Sequence, residues 1–287
     1  MIEGRIDGRA GAILLTPAER EQGWFLPCVT TPASDCVIDA GGDDEAGSLH
    51  VGVKPSMFTA ELARNERVTA QIHHLRLALR APLQFRAGQF VQLEVPGGTE
   101  MRAYSIASAP SETTHLDLYV QRRPEGRFSR LLDGALTAGA SIRALGPLGQ
   151  LRVRLSHRPI VMVAHGSGLA PMLSMLGDLA DRSDRRPVRL FVRGRAASDL
   201  FALQRLEQIG ARLPDYRFVP VISSDGRTLG EALTEHLEGR SDVDAYIGGS
   251  QRSIETTLPL LLERGLRRRN VHFDVFTAAR DVPEAWR

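Results

Sequence analysis

Residues 159–182 read PIVMVAHGSGLAPMLSMLGDLADR. The opening PIVMVAH is an unbroken apolar run, the pattern of a strand buried on both faces. LAPMLSMLGDLADR reads as a helix, with Pro171 suited to its first turn. Between them stands His165-Gly166-Ser167-Gly168, a glycine turn joining strand to helix. Glycines there let a dinucleotide approach the backbone. A tight strand–helix turn without a ligand uses the same residues, and the stretch is not a full G-x-G-x-x-G.

Downstream the alternation repeats. VRLFVRG (188–194), YRFVPVI (216–222), DAYIGG (244–249) and NVHFDVF (270–276) read as strands. DLFALQRLEQIGARL (199–213) reads as a helix, with two more at about 229–237 and 251–265. Alternating strand and helix predicts a doubly wound parallel sheet. Ligands of such sheets lie at the carboxyl ends of the strands, which puts Ile247-Gly248-Gly249-Ser250 beside the glycine turn. A plain turn is the alternative.

Upstream the period changes to two. VTAQIHHLRLAL (68–79), QFVQLEVP (89–96) and HLDLYVQ (115–121) alternate apolar and polar residues, punctuated by Pro-Gly-Gly and Pro-Glu-Gly. Short strands so spaced predict an antiparallel β-barrel. Two motifs lie here. Arg102-Ala103-Tyr104-Ser105 aims Arg102 and Tyr104 to one side of a strand, where an arginine can clamp phosphate and a tyrosine can cover a flat ring. Gly126-Arg127-Phe128-Ser129 opens a helix-like stretch, an arrangement suited to a pyrophosphate or to an ordinary serine cap.

The boundaries follow: 1–40 with both cysteines, a Gly- and acid-rich linker 41–53, the barrel 54–150, the α/β domain 151–277 and a tail 278–287. The tail, with Trp286, reads either as disordered or as a cover for an apolar patch. A net charge of +2 with scattered arginines gives no reason to propose nucleic acid. No apolar run reaches the roughly 18–20 residues of a membrane helix, and two cysteines make no disulfide framework, so a cytoplasmic location is expected. His73 and His74 are adjacent on a strand and face opposite sides, and the other histidines show no metal-ligand spacing.

FRAGQF (85–90), RAYS, GRFS, GPLG (146–149), HGSGLAP, VRLFVRGR followed by Asp199-Leu200-Phe201, and YIGGS occur in one order. That order resembles the ferredoxin–NADP reductase superfamily, in the branch that forms the reductase components of bacterial multicomponent oxygenases such as the phenol hydroxylase and methane monooxygenase reductases. The resemblance spans about residues 54–277. It implies FAD as cofactor, NADH (or NADPH) as hydride donor, and an oxygenase, hydroxylase or other electron acceptor as partner.

The resemblance also assigns roles. Arg102 would hold the flavin phosphates, Tyr104 would pack on the isoalloxazine and Ser105 would lie near the flavin N5, with Ala103 between them in the motif. Gly126, Arg127, Phe128 and Ser129 would form the pyrophosphate cradle. Gly166, Ser167 and Gly168 would hold the nucleotide, with Gly248 and Gly249 opposite and Phe276 beside the flavin ring. Ser105, Ser167 and Phe276 are the expected catalytic positions. Arg193 and Arg195 stand at the end of the second strand, where an arginine accommodates a 2′-phosphate; NADH remains the favoured donor because relatives that use it can carry an arginine there.

The sequence departs from the family at His165 and at Gly248, where glycine and cysteine are usual; the histidine would crowd the nicotinamide side. Two other readings stay open. One is a degenerate flavin-binding scaffold or sensor. The other is a related iron–sulfur flavoreductase serving another partner, such as a deoxysugar dehydratase.

Residues 15–35 resemble the end of a plant-type ferredoxin domain. Leu15-Thr16-Pro17-Ala18-Glu19-Arg20, Gly23-Trp24, Cys28, Pro32, Ser34 and Asp35 follow its phrasing, and Cys28 matches the fourth [2Fe–2S] ligand. Such a cluster needs four thiolates. The expectation is therefore a ferredoxin remnant that binds no metal in this chain, with a [2Fe–2S] cluster only in a longer form. An unrelated arm is the alternative.

Overall fold

The computed structural model describes residues 3–8, 21, 23–25, 30–38, 54–123, 125–237 and 239–276. They fall into two compact units, Met1–Gly52 and Val53–Arg287. In the first, β1 (Ile6–Gly8) pairs antiparallel with β2 (Thr30–Pro32), and a bridge joins Glu3 to Val37. The Arg5 N–H donates to Ser34 Oγ at 2.9 Å, and Cys36 carries a free thiol 3.2 Å from the Arg5 carbonyl. Cys28, the Leu15–Arg20 phrase and the tail after Phe276 lie outside the described residues.

The second unit begins with six antiparallel strands: β3 (Ser56–Arg67), β4 (Ile72–Leu79), β5 (Phe90–Glu94), β6 (Met101–Ser105), β7 (His115–Gln121) and β8 (Ser141–Leu148). They lie in the order β6-β5-β8-β3-β4-β7. Just past β6, Ile106 bridges to Leu118 of β7, so the two edges meet and the sheet nearly closes into a barrel. Leu62, Leu75, Val91, Leu116, Leu118 and Ile142 fill its interior. A short helix, α1 (Arg127–Leu132), caps it with Phe128 and Leu132.

Two of these strands were absent from the sequence reading. The alternation of β3 breaks at a bulge between Leu62 and Arg64, and its composition favours helix. β8 hid its period behind Gly146 and Pro147.

The chain then builds a five-stranded parallel sheet from β9 (Ile160–His165), β10 (Val188–Gly194), β11 (Tyr216–Ile222), β12 (Asp244–Ser250) and β13 (Val271–Phe276), ordered β11-β10-β9-β12-β13. The order reverses between β9 and β12, and the crevice for a ligand opens at the carboxyl ends of those strands. The crossovers carry α2 (Leu169–Asp181), α3 (Leu203–Gly210), α4 (Leu229–Leu237) and α5 (Gln251–Glu263). The unit is thus a mixed β and α/β fold. Helix α3 is shorter than its sequence suggested. Phe201 is buried against Tyr119, with ring centroids 4.7 Å apart, and the chain pivots at Ala202 with φ 56° before the helix starts. No helix among the described residues is long and apolar enough to cross a membrane.

Barrel and parallel sheet share packing. Helix α2 is buried almost all round because it lies between them. Its Ser174 hydroxyl donates to the Ser108 carbonyl at 2.7 Å, and a Cβ on Gly177 would stand 2.8 Å from Ala109 Cβ. Beside this contact lies Asp117 of β7, with no side-chain exposure. Its carboxylate accepts from both Nε and Nη2 of Arg76 at 2.8 Å and from Arg205 Nη1 of α3 at 2.8 Å, with His74 Nε2 at 2.7 Å. Burial alone would raise this carboxyl, but the bonds from His74 and Arg76 and the charge of Arg205 hold it far below the usual carboxylate range.

Asp117→Asn leaves two guanidinia around a neutral group. The expected loss is about 3–5 kcal/mol, read as a lower denaturation midpoint. For a depressed carboxylate the stabilisation is present in full above its unfolded value, about pH 4, and fades as pH falls through the folded value. The wild-type midpoint should therefore drop more steeply below about pH 4 than that of Asp117→Asn.

Candidate functional site

The site has two faces in the second unit. On the barrel, Arg102 and Tyr104 lie on edge strand β6, paired to Leu93 and Val91 of β5. Ala103, between them, is exposed on the other side. Tyr104 stacks obliquely on Phe128 of α1, ring centroids 5.2 Å apart, and burial pushes its hydroxyl upward so that it stays protonated. Ser105 is buried opposite Phe90. Arg127, the first residue of α1, brings its guanidinium to the same place as that of Arg102. Glu100 joins them, accepting from Arg127 Nη1 at 2.7 Å and from Arg102 Nη2.

Gly126 is required by packing, since a Cβ there would stand 2.9 Å from Ser129 Oγ. Ser129 is buried, and its Oγ accepts the Arg123 N–H at 2.9 Å. One acceptor position of the hydroxyl is thereby used, while its proton remains free to donate elsewhere.

On the parallel sheet, Gly166–Gly168 form one short 3₁₀ turn between β9 and α2. Gly166 has φ 54°, a conformation natural to glycine, and faces Gln121 at the end of barrel strand β7. Ser167 is buried. Gly168 lies against β12: a Cβ on it would stand 2.0 Å from the Gly248 carbonyl oxygen and 2.7 Å from the Gly249 nitrogen. The two glycine motifs, 80 residues apart in sequence, are therefore in contact.

Neighbouring glycines on β12 face opposite ways. Gly248 is directed at Gly168 and Met172, Gly249 at His165 and Ser253. His165 consequently turns to the α5 face, its Nε2 3.0 Å from Thr257 Oγ1. Burial, aided by the charge of Arg193, lowers its pKa to about 4, so the ring is neutral near pH 7.

Other expected residues stand apart. Arg195 is exposed beyond the end of β10; its N–H donates to the Asp199 carboxylate at 2.8 Å and its carbonyl accepts the Ser224 N–H at 2.9 Å. Phe276 ends β13, opposite Ser250.

The sequence reading missed Glu100, although it lies two residues from Arg102. It missed Asp274 on β13, where loss of solvent pushes its carboxyl up to about 6 despite the Val275 N–H that it accepts. A lone acid in the apolar run VHFDVF is the signal that could have marked it. It also missed the group of Glu112, His115 and Asp117, whose ligand atoms lie within 4.8 Å of one another. Guanidinium groups already occupy both Asp117 oxygens there.

The residues fit the two groups that such faces take. Paired guanidinia beside a tyrosine match a flavin with its pyrophosphate. A left-handed glycine at the switch point, with no side chain between it and Gln121, leaves backbone open to a dinucleotide. Fold and faces together define an oxidoreductase of the flavin- and pyridine-nucleotide-binding class. Family models agree: the oxidoreductase FAD-binding domain matches residues 59–153 and the oxidoreductase NAD-binding domain residues 162–257.

The chain belongs to the family of flavin-dependent reductase components of oxygenase systems, within the ferredoxin–NADP reductase-like fold. It is 30% identical over 293 residues to the phenol 2-monooxygenase reductase component of Pseudomonas sp. (strain CF600), covering 98% of this chain and 82% of that protein. It is 31% identical to the aromatic O-demethylase reductase subunit of Amycolatopsis sp. (strain ATCC 39116 / 75iv2), covering 97% and 86%. The crystal structure of Amycolatopsis cytochrome P450 reductase GcoB superposes with TM-score 0.78 at 28% identity, over 97% of this chain and 86% of that one.

Two outcomes are expected. Gly168→Ala forces its Cβ into the β12 backbone and should cost about 1–3 kcal/mol or more, seen as a lower melting temperature. The depressed value of His165 makes its contribution present above about pH 6.5 and lost as pH falls toward 4, on the order of 3 kcal/mol in all. Denaturant unfolding of wild type and His165→Asn between pH 7 and 4.5 should show a smaller decline in the variant.

Proposed function

We propose that this protein takes hydride from NADH onto FAD and passes the electrons on to an oxygenase or hydroxylase component in the cytoplasm. The observation that carries the reading is the pairing, in one compact unit, of an arginine–tyrosine face on the barrel with a glycine crevice at the switch point of the parallel sheet. Arg102 and Arg127 bind the flavin phosphates, supported by Ser129 and the close packing of Gly126 under α1. Tyr104, held against Phe128, orients the flavin ring. Ser105 donates a hydrogen bond near the reacting nitrogen.

Gly166, Ser167 and Gly168 present backbone to the dinucleotide, and Gly248 keeps the far wall low. Phe276 covers the ring side of the crevice. Arg195, exposed at the end of β10, lies on the adenosine side. When bound, FAD accepts hydride from the nicotinamide and releases electrons one at a time; the residues of the chain bind, orient and exclude water. The ferredoxin-like phrasing around Cys28 supports a further reading, that the N-terminal unit derives from a [2Fe–2S] domain.

The test is the visible spectrum of the purified protein with FAD, before and after anaerobic NADH or NADPH. Flavin bands that bleach faster with NADH are the expected result. A protein that stays colourless after FAD is added overturns the proposal, and bands that persist through both nucleotides leave a flavin binder without hydride transfer. Arg102→Gln should weaken FAD binding by about tenfold or more, the scale of one charged hydrogen bond. Ser105→Ala should slow flavin reduction about tenfold with FAD affinity unchanged, which stopped-flow absorbance would resolve.

A further inference from the structure

The two guanidinia assigned to the flavin phosphates are bridged by a carboxylate of the chain itself. Glu100 gives one oxygen to Arg127 Nη1 at 2.7 Å and the other to Arg102 Nη2. The arginines come from different elements, β6 and the first residue of α1, 25 positions apart. Two cations from separate elements converging on one anion define an anion site.

The backbone of Glu100 is fixed, because its carbonyl accepts the Val95 N–H at 2.8 Å and Gly98 N–H donates to the Val95 carbonyl at 3.0 Å, closing the β5–β6 turn. Its side chain is about a third exposed and can swing into solvent without disturbing that turn. Each arginine keeps an anchor that does not need the glutamate: Arg102 Nη1 donates to the Met101 carbonyl at 2.9 Å, and the Arg127 guanidinium lies over Gly98.

We propose that Glu100 is an internal stand-in for the flavin pyrophosphate. It occupies the Arg102–Arg127 site in the flavin-free protein and competes with the phosphates of incoming FAD. This rests on the FAD reading above and adds a residue that sets flavin affinity. The charges argue for competition. Two guanidinia and one carboxylate leave a net +1, which attracts a pyrophosphate carrying two negative charges. Once the phosphates are in place the guanidinia are neutralised, and the carboxylate faces like charge at close range. Flavin binding therefore includes the work of moving Glu100 away.

The experiment titrates wild type and E100Q, each freed of flavin, with FAD, FMN and riboflavin, following flavin fluorescence at low and high salt. Glutamine keeps the size of the side chain and removes its charge. The expected result is FAD and FMN binding about fivefold to tenfold tighter in E100Q at low salt, a gap that closes at high salt, with riboflavin unchanged because it has no phosphate. FAD affinity that is equal or weaker in E100Q, with both proteins binding, overturns the inference and leaves the flavin reading standing. Riboflavin tightening as much as FAD also overturns it, since the effect then has nothing to do with phosphate. Failure of both proteins to take up any flavin overturns the flavin reading and the inference with it.

Discussion

Asp117 is a buried negative charge on which groups from both halves of the second unit converge. Arg76 and His74 reach it from the neighbouring barrel strand, and Arg205 reaches it from a helix of the parallel-sheet half. Arg76 and His74 already fill both oxygens from within the barrel, and Arg205 adds a second guanidinium across the junction, so the buried carboxylate ties the two halves together in one arrangement. Direct contacts reinforce that arrangement: Ser174 on Ser108, Phe201 on Tyr119, and Gly177 against Ala109. The position of the arginine–tyrosine face relative to the glycine crevice depends on this docking, because each belongs to a different half.

The parts of the fold that could be read from sequence are those encoded locally. The PIVMVAH strand, the glycine turn and the following helix are contiguous, and their period changes at the turn itself. β7 and β11 kept the bounds their alternation suggested. β3 did not show itself, because a bulge breaks its alternation and AELARNER carries the residues of a helix. The start of α3 was misread because burial of Phe201, a tertiary demand, overrides the helical pattern of DLFAL.

The site divides along the same line. Its motifs were legible as short strings, and contact between the two glycine motifs followed from the topology of a parallel sheet. Partners set by long-range folding were not legible. Arg76 and Arg205 lie 41 and 88 residues from Asp117, and nothing in the neighbourhood of Asp117 announces either. The direction of His165 was also hidden, since it depends on which face of β9 the ring takes. A single step in strand register would have turned it toward Gly168 rather than Thr257.

Helix α2 starts at the glycine turn, lies between the parallel sheet and the barrel, and ends with Asp181 accepting from Ser111 of a barrel loop. Every one of its faces is committed, which leaves it almost no room to vary. Evolutionary change in a protein built this way is steered outward. Adaptation to a new electron acceptor has to be written into exposed segments, such as the barrel turns or the N-terminal unit, while the helix that aligns the two halves is inherited nearly intact. A lineage of such reductases can thus exchange its redox partners far more readily than the geometry by which it handles electrons.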